Sequence, residues 1–116
     1  MARILLAEDD TSMREYLQRA LQRVGYEVSA VGCGTEAVPL LESEQFDLLL
    51  TDIVMPQVHG FALARMAKVR RPSLRVLYMS GYNDLPQHER GMAFGKVVEK
   101  PSEPEKLVEE VRAALA

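Results

Sequence analysis

The stretch Ile-Leu-Leu-Ala-Glu-Asp-Asp, residues 4–10, decides how the rest of the chain is interpreted. Its four apolar residues are continuous rather than alternating, which is typical of a strand buried on both faces of a parallel sheet. Three acids follow where such a strand would stop. Because Asp10 is also a favourable N-cap residue, the stretch predicts a buried strand, an acidic turn and then a helix.

The same alternation continues along the chain. Further strands are predicted at residues 26–31, 46–51, 75–79 and 97–98. The second strand alternates apolar and polar residues and is expected at a sheet edge, whereas the third has the most buried character.

Helix signals lie between these strands. Gly25 is placed to end the first helix, Thr35 to cap the second and Pro104 to begin the last. Pro39 is expected in or near the first turn of the second helix, where its missing amide costs least. The segment 82–95 is rich in helix breakers, so a fourth helix there is expected to be short.

Five strands alternating with five helical segments predict an α/β fold. We expect a flavodoxin-like (βα)5 three-layer sandwich, with a parallel sheet of order 2-1-3-4-5, formed by residues 1–116 as a single domain.

Composition narrows the classes of function. The 116 residues carry a net charge of −3, which argues against a general nucleic-acid binder. Cys33 is the only cysteine, so no internal disulfide is possible, and we expect it to be a structural, partly buried thiol. The N-terminal apolar run is too short for a signal peptide and no run approaches membrane length, so a cytoplasmic location is expected.

Polar residues follow the strands on one side of the predicted sheet. Glu8 and Asp9 follow the first strand, Asp52 the third, Ser80 the fourth and Lys100 the fifth. In a 2-1-3-4-5 sheet the first and third strands are neighbours, and ligands bind beyond the carboxyl ends of the strands at this switch point.

Carboxylates gathered at one edge repel each other by about 4 kcal/mol per pair at 4 Å and an effective dielectric of 20. Mg²⁺ relieves this repulsion, because it prefers a few carboxylates and retained waters. A carboxylate beside a cation, a lysine and a hydroxyl predicts phosphoryl transfer through an aspartyl phosphate.

Taken in order, these segments resemble the receiver domain of bacterial two-component response regulators. The resemblance covers the whole chain and rests on residues 4–10, residues 50–56 with Gly60, Met79-Ser80-Gly81 and Lys100-Pro101. Within the family, the chain looks most like stand-alone regulators of cell-cycle phosphorelays, including the protease-adaptor type; chemotaxis-type regulators are the second match.

The resemblance implies a role for each residue of the constellation. Asp52 would be the phosphoacceptor, and Mg²⁺ would be held by Glu8, Asp9, Asp52 and the Val54 backbone carbonyl. Ser80 would be the switch hydroxyl and Lys100 the contact to the phosphoryl group. Val54 and Tyr82 match positions that tune hydrolysis, and a bulky pair there would favour a longer-lived phosphoryl state.

The resemblance also implies the partners. A histidine kinase or histidine phosphotransfer protein would supply the phosphoryl group, and the product would change binding to an output protein. Such a chain is not an enzyme, apart from catalysing its own phosphorylation and dephosphorylation. It would bind neither nucleic acid nor membrane directly.

The output surface departs from the family pattern. The family usually has Tyr or Phe three residues before its lysine, whereas this chain has Val97. Ser102 replaces the apolar residue that often follows the Lys-Pro pair. We assign the output surface to Phe94, Val97 and Ser102. Tyr82, Phe94 or a backbone shift could take the place of the missing aromatic ring.

Two other functions are considered. A Mg²⁺-dependent phosphatase of haloacid dehalogenase type is disfavoured, because it needs an acid where this chain has Val54. A flavin or nucleotide binder is disfavoured because Glu8 and Asp9 stand where a glycine-rich phosphate loop would lie. Three further polar residues are expected to have no part in the chemistry. Asp10 is expected to cap a helix, and His59 and His88 are expected to be solvated loop residues.

Overall fold

The computed structural model describes residues 2–81, 95–100 and 103–116. Within these ranges the strands are β1 (Arg3–Ala7), β2 (Glu27–Val31), β3 (Leu48–Asp52), β4 (Arg75–Ser80) and β5 (Lys96–Glu99). The helices are α1 (Thr11–Arg23), α2 (Gly34–Ser43), α3 (Gly60–Arg70) and α4 (Pro104–Leu115). The predicted fourth helix, in segment 82–95, falls almost entirely outside the described residues.

All five strands form one parallel sheet of order β2-β1-β3-β4-β5, as the sequence predicts. The central register pairs Leu5 with Leu49 and Leu49 with Val76. Every residue of β3 is buried, whereas β2 at the edge is mostly half-buried. These burial patterns confirm the predicted positions of both strands.

Side chains alternate between two cores, one on each face of the sheet. Ile4 and Leu6 of β1 belong to the core that packs against α1 and α4. Leu5 and Ala7 belong to the opposite core, which packs against α2 and α3. Helices therefore cover both faces, and the three-layer sandwich is confirmed.

The first helix has both predicted caps. The Asp10 carboxylate accepts a hydrogen bond from the Met13 amide at 3.0 Å. At the other end Gly25 adopts φ 101°, and the Gly25 and Tyr26 amides donate to the Gln22 and Leu21 carbonyls. This is a Schellman ending, and it sends the chain back towards β2.

The start of α2 differs from the prediction. The helix begins at Gly34 with Cys33 at the N-cap position and no side-chain cap, so Thr35 is not the cap. Thr35 instead donates its hydroxyl to the Gln57 side chain at 2.7 Å, across to another loop. Because the helix begins early, Pro39 is its sixth residue rather than a first-turn residue.

The remaining helices follow their patterns more closely. Pro104 is the first residue of α4, as predicted, and Leu107, Val108 and Val111 are buried. In α3 the buried face includes Leu63 and Ala67, whereas Val69 is 78% exposed.

Candidate functional site

The carboxyl ends of β1 and β3 bring three acids together. One carboxylate oxygen from each of Glu8, Asp9 and Asp52 lies within 4.8 Å of the other two. Glu8 and Asp9 directly follow β1, and Asp52 is the last residue of the neighbouring strand β3. The parallel register of the two strands therefore creates the cluster that the sequence predicts.

Lys100 bridges two of these acids. Its Nζ donates to Glu8 Oε1 at 2.6 Å and to Asp52 Oδ2 at 3.0 Å. The Lys100 backbone amide donates to the Ser80 carbonyl at 2.6 Å, which ties the end of β5 to the end of β4. Four sequence segments thus converge at one edge of the sheet.

Glu8 is fully buried, and both of its carboxylate oxygens accept hydrogen bonds. Oε1 accepts from Lys100, and Oε2 accepts from the Asp10 amide at 3.0 Å. Burial raises the pKa of Glu8 above its ordinary value, although the hydrogen bond from Lys100 opposes that rise. For Lys100, burial lowers the pKa, but the hydrogen bonds to Glu8 and Asp52 outweigh it and raise the pKa overall.

A cleft of about 580 Å³ opens beside the cluster. It is lined by Asp9, Met13, Asp52, Val54, Ser80, Gly81 and Lys100. Asp9 is exposed, and Asp52 reaches the cleft although it is only 6% exposed. Glu8 does not line the cleft and lies behind the other two acids, against Lys100.

The loop between β3 and α3 is held close to Asp52 at both ends. The Ile53 amide donates to the Met79 carbonyl at 3.0 Å, and the Gly60 amide donates to the Ile53 carbonyl at 2.7 Å. A Cβ atom on Gly60 would lie 2.2 Å from the Asp52 carbonyl oxygen. Only glycine permits this approach, so Gly60 is required to close the loop behind the acid.

Two supporting residues were missed by the sequence analysis. Arg14 Nη1 donates to the Glu8 carbonyl at 2.9 Å, and the buried Thr51 hydroxyl donates to the Asp52 carbonyl at 2.9 Å. A signal existed for Arg14, since helical side chains point towards the N-terminus of their helix and Arg14 is one turn into α1. No local signal distinguishes Thr51 from an ordinary strand threonine.

The other predicted residues have varied positions. Val54 is 60% exposed at the mouth of the cleft, and Val97 is half-buried against the core on the α2 and α3 side. Tyr82, Phe94 and Ser102 lie outside the described residues, as does His88. His59 is exposed as expected, but it also caps α3, because its Nδ1 accepts from the Phe61 amide at 3.2 Å.

A doubly wound parallel sheet with clustered acids and a lysine at its carboxyl edge defines a class of signalling domain. Residues 4–112 match the family model described as the response regulator receiver domain. The chain belongs to this family, whose members are signalling switches rather than classical enzymes. Nothing in the comparisons supports the phosphatase alternative.

The curated relatives include the response regulator receiver protein CpdR of Brucella abortus. It is 41% identical over 117 residues, which cover 99% of this chain and 98% of that protein. Other curated relatives are longer, and this chain spans 24% of two transcriptional regulators among them.

Solved structures show the same fold. A CheY-like receiver domain protein from Methanospirillum hungatei is 29% identical with a TM-score of 0.91, covering 99% of this chain and 94% of the other. TrrA from Thermotoga maritima, solved in complex with Mg²⁺ and BeF, is 29% identical with a TM-score of 0.87, covering 99% and 100%.

In the part of the chain that the structure describes, every helix is too short or too polar to cross a membrane.

Proposed function

We propose that Asp52 accepts a phosphoryl group from a histidine kinase or histidine phosphotransfer protein, and that this modification changes binding to an output protein. The observation that carries the proposal is the contact between Asp52 and Lys100 at 3.0 Å inside an acidic cleft. No other carboxylate in the described ranges both lines the cleft and accepts a hydrogen bond from Lys100.

The transfer itself is a displacement at phosphorus. A carboxylate oxygen of Asp52 forms the new bond to phosphorus while the bond between phosphorus and the donor atom breaks. The electron pair of the broken bond leaves with the donor, and Asp52 becomes an acyl phosphate. Water reverses the modification by attacking the same phosphorus, which returns the carboxylate and releases inorganic phosphate.

The residues present suit a divalent cation. Three carboxylates lie within 4.8 Å of one another, and a hard oxygen-binding cation is the chemical partner of such a set. Asp9 and Asp52 line the cleft and can bind directly, together with the Val54 carbonyl. Glu8 is the third proposed carboxylate for the metal ion. It lies behind Asp9 and Asp52, and hydrogen bonds from Lys100 and the Asp10 amide orient it. Mg²⁺ held by these residues would supply positive charge that stabilises the phosphoryl oxygens during transfer.

Lys100 and Ser80 are the proposed contacts to the phosphoryl oxygens. The Lys100 ammonium already contacts Asp52, so it would lie beside the oxygens that phosphorylation adds to that carboxylate. Ser80 is 5% exposed and lines the cleft at the end of β4. A hydroxyl there can donate to a phosphoryl oxygen, which would pull the β4 end towards Asp52.

The signal is proposed to leave through β5 and the segments that flank it in the sequence. Phe94, Val97 and Ser102 form the proposed output surface, and Val54 and Tyr82 are proposed to tune hydrolysis by limiting water access. The exposed position of Val54 at the cleft mouth supports its part of this proposal. We further propose that residues 1–116 form one receiver domain acting in the cytoplasm.

The proposal is tested with a small-molecule phosphodonor. Wild-type protein is incubated with and without Mg²⁺, and intact mass is measured. We expect a gain of one phosphoryl group only with Mg²⁺, and no gain for Asp52→Asn. Asp10→Asn is the matched control, because Asp10 caps α1 and an asparagine can cap equally well. An adduct on Asp52→Asn, or none on the wild type, contradicts the proposal.

A further inference from the structure

Gln57 has a backbone conformation that its surroundings must maintain. Its φ is 73°, in the left-handed region that non-glycine residues rarely occupy. The Val58 amide donates to the Pro56 carbonyl at 2.8 Å, which closes a three-residue γ-turn around Gln57. A γ-turn with positive central φ is strained, and such strain persists only where neighbouring contacts hold it.

Those contacts come from the first turn of α2. The Thr35 hydroxyl donates to Gln57 Oε1 at 2.7 Å. Beside it, Gly34 lies so close to Val58 that an added Cβ would be 2.4 Å from the Val58 Cβ atom. We call these four residues, Gly34, Thr35, Gln57 and Val58, the α2 clasp.

The clasp fixes one end of the segment that carries Val54. The other end is fixed at Ile53, whose amide donates to the Met79 carbonyl in β4. Between these points Met55 is buried, and the Thr51 hydroxyl lies 3.9 Å from its sulfur. Val54 therefore lies in a short segment that is held at one end by the hydrogen bond from Ile53 to β4 and at the other end by the α2 clasp.

We propose that Thr35 is a positioning residue for the metal site. Its hydroxyl holds Gln57 in the strained turn, which restricts the orientation of the Val54 carbonyl beside Asp9 and Asp52. Without the Thr35 hydroxyl the turn at Gln57 relaxes and the Val54 carbonyl is no longer held in one orientation. Mg²⁺ must then order this carbonyl as it binds, which reduces the affinity. The inference rests on the proposed function, because it assumes that the Val54 carbonyl is a metal ligand.

The test compares Mg²⁺ binding by calorimetry, at fixed ionic strength, in wild type, Thr35→Val and Thr35→Ser. We expect Thr35→Val to weaken binding by about threefold to tenfold, as the loss of one hydrogen bond implies, and Thr35→Ser to restore it. Ser43→Ala, which removes a hydroxyl at the far end of α2, is the matched control and should bind like wild type. With phosphodonor, the Mg²⁺ concentration for half-maximal rate should rise by the same factor while the maximal rate stays unchanged.

A double-mutant cycle tests the partner. Gln57→Ala should weaken Mg²⁺ binding as Thr35→Val does, and combining the two should add little, because both remove the hydrogen bond between Thr35 and Gln57. The Thr35 hydroxyl also lies 3.1 Å from Cys33 Sγ, and the cycle separates that contact from the one under test. Amide hydrogen exchange gives a readout besides binding: residues 54–58 should exchange faster in Thr35→Val, with β3 unchanged.

The outcomes separate the two proposals. A wild-type protein that binds no Mg²⁺ would overturn the proposed function and the role of Thr35 with it. If wild type binds Mg²⁺ and Thr35→Val binds equally well, only the role of Thr35 is overturned. The role of Thr35 is also overturned if Thr35→Ser binds Mg²⁺ as weakly as Thr35→Val does, or if the effects of Thr35→Val and Gln57→Ala on Mg²⁺ affinity are additive.

Discussion

At the scale of single residues, the charge balance of the site depends on Lys100. One ammonium group contacts two carboxylates, and its side chain is only 17% exposed. A buried carboxylate that loses its cation costs far more than a surface ion pair contributes. Lys100 therefore has a structural role in the metal-free protein as well as its proposed role towards the phosphoryl group.

Replacing Lys100 with methionine should destabilise the protein by about 3 kcal/mol at neutral pH without Mg²⁺. This loss of unfolding free energy should become smaller as pH falls, and two effects act in that direction. Burial already raises the pKa of Glu8, and the variant also lacks the lysine that opposes the rise, so Glu8 takes up its proton more readily in the folded state.

Urea unfolding of wild type and Lys100→Met across a pH series measures this difference. In the wild type the raised pKa of Lys100 keeps its ammonium charged at and below neutral pH, and that charge is lost only as pH rises through the raised pKa, so the change between neutral and acid pH comes from Glu8. A difference between the two proteins that stays constant from neutral to acid pH would contradict this explanation.

At the scale of elements, α2 combines a weak helix with a functional first turn. Pro39 is the sixth residue of α2, so the amide that would bond to the Thr35 carbonyl is missing. The helix also lacks a side-chain cap. Its stability must therefore come from packing, through Ala37 and the half-buried residues around it.

Pro39→Ala should stabilise the protein by about 1–3 kcal/mol, because it restores a helix hydrogen bond, although the freer unfolded chain offsets part of the gain. Pro39 is exposed, so no core contact is lost. The measurement is the urea midpoint, with Ser43→Ala in the same helix as the control for a general effect of alanine. A lower midpoint for Pro39→Ala would show that the proline stabilises α2.

The elements also show why prediction from sequence succeeded in part. Continuous apolar runs such as Leu48 to Leu50 identify central strands, and the topology then gathers Glu8, Asp9 and Asp52 without further information. The cap of α2 was predicted wrongly because Thr35 is a good local cap, yet its hydroxyl bonds to Gln57, 22 residues away. Contacts made across loops, such as this one, leave no periodic signal in the sequence.

At the scale of the whole molecule, the cluster makes folding sensitive to divalent cations. In the folded chain the neighbouring residues Glu8 and Asp9 share one edge of the sheet with Asp52, which separates from them on unfolding. A cation that binds only the folded state stabilises it by about 2.7 kcal/mol at one hundred times its dissociation constant. We therefore expect Mg²⁺ to raise the unfolding midpoint of the wild type.

The shift should be much smaller in Asp9→Asn, which keeps the shape of an exposed side chain while removing one charge from the cluster. Thermal unfolding with Mg²⁺, compared with NaCl at equal ionic strength, separates site binding from screening. Equal shifts in wild type and Asp9→Asn would mean that the cation acts elsewhere.

The central claim concerns a single carboxylate, and intact mass after incubation with a small-molecule phosphodonor tests it most directly. The account predicts one added phosphoryl group on the wild type, only with Mg²⁺, and none on Asp52→Asn. A wild type that gains no mass with Mg²⁺, or an Asp52→Asn variant that gains as much as the wild type, would contradict it.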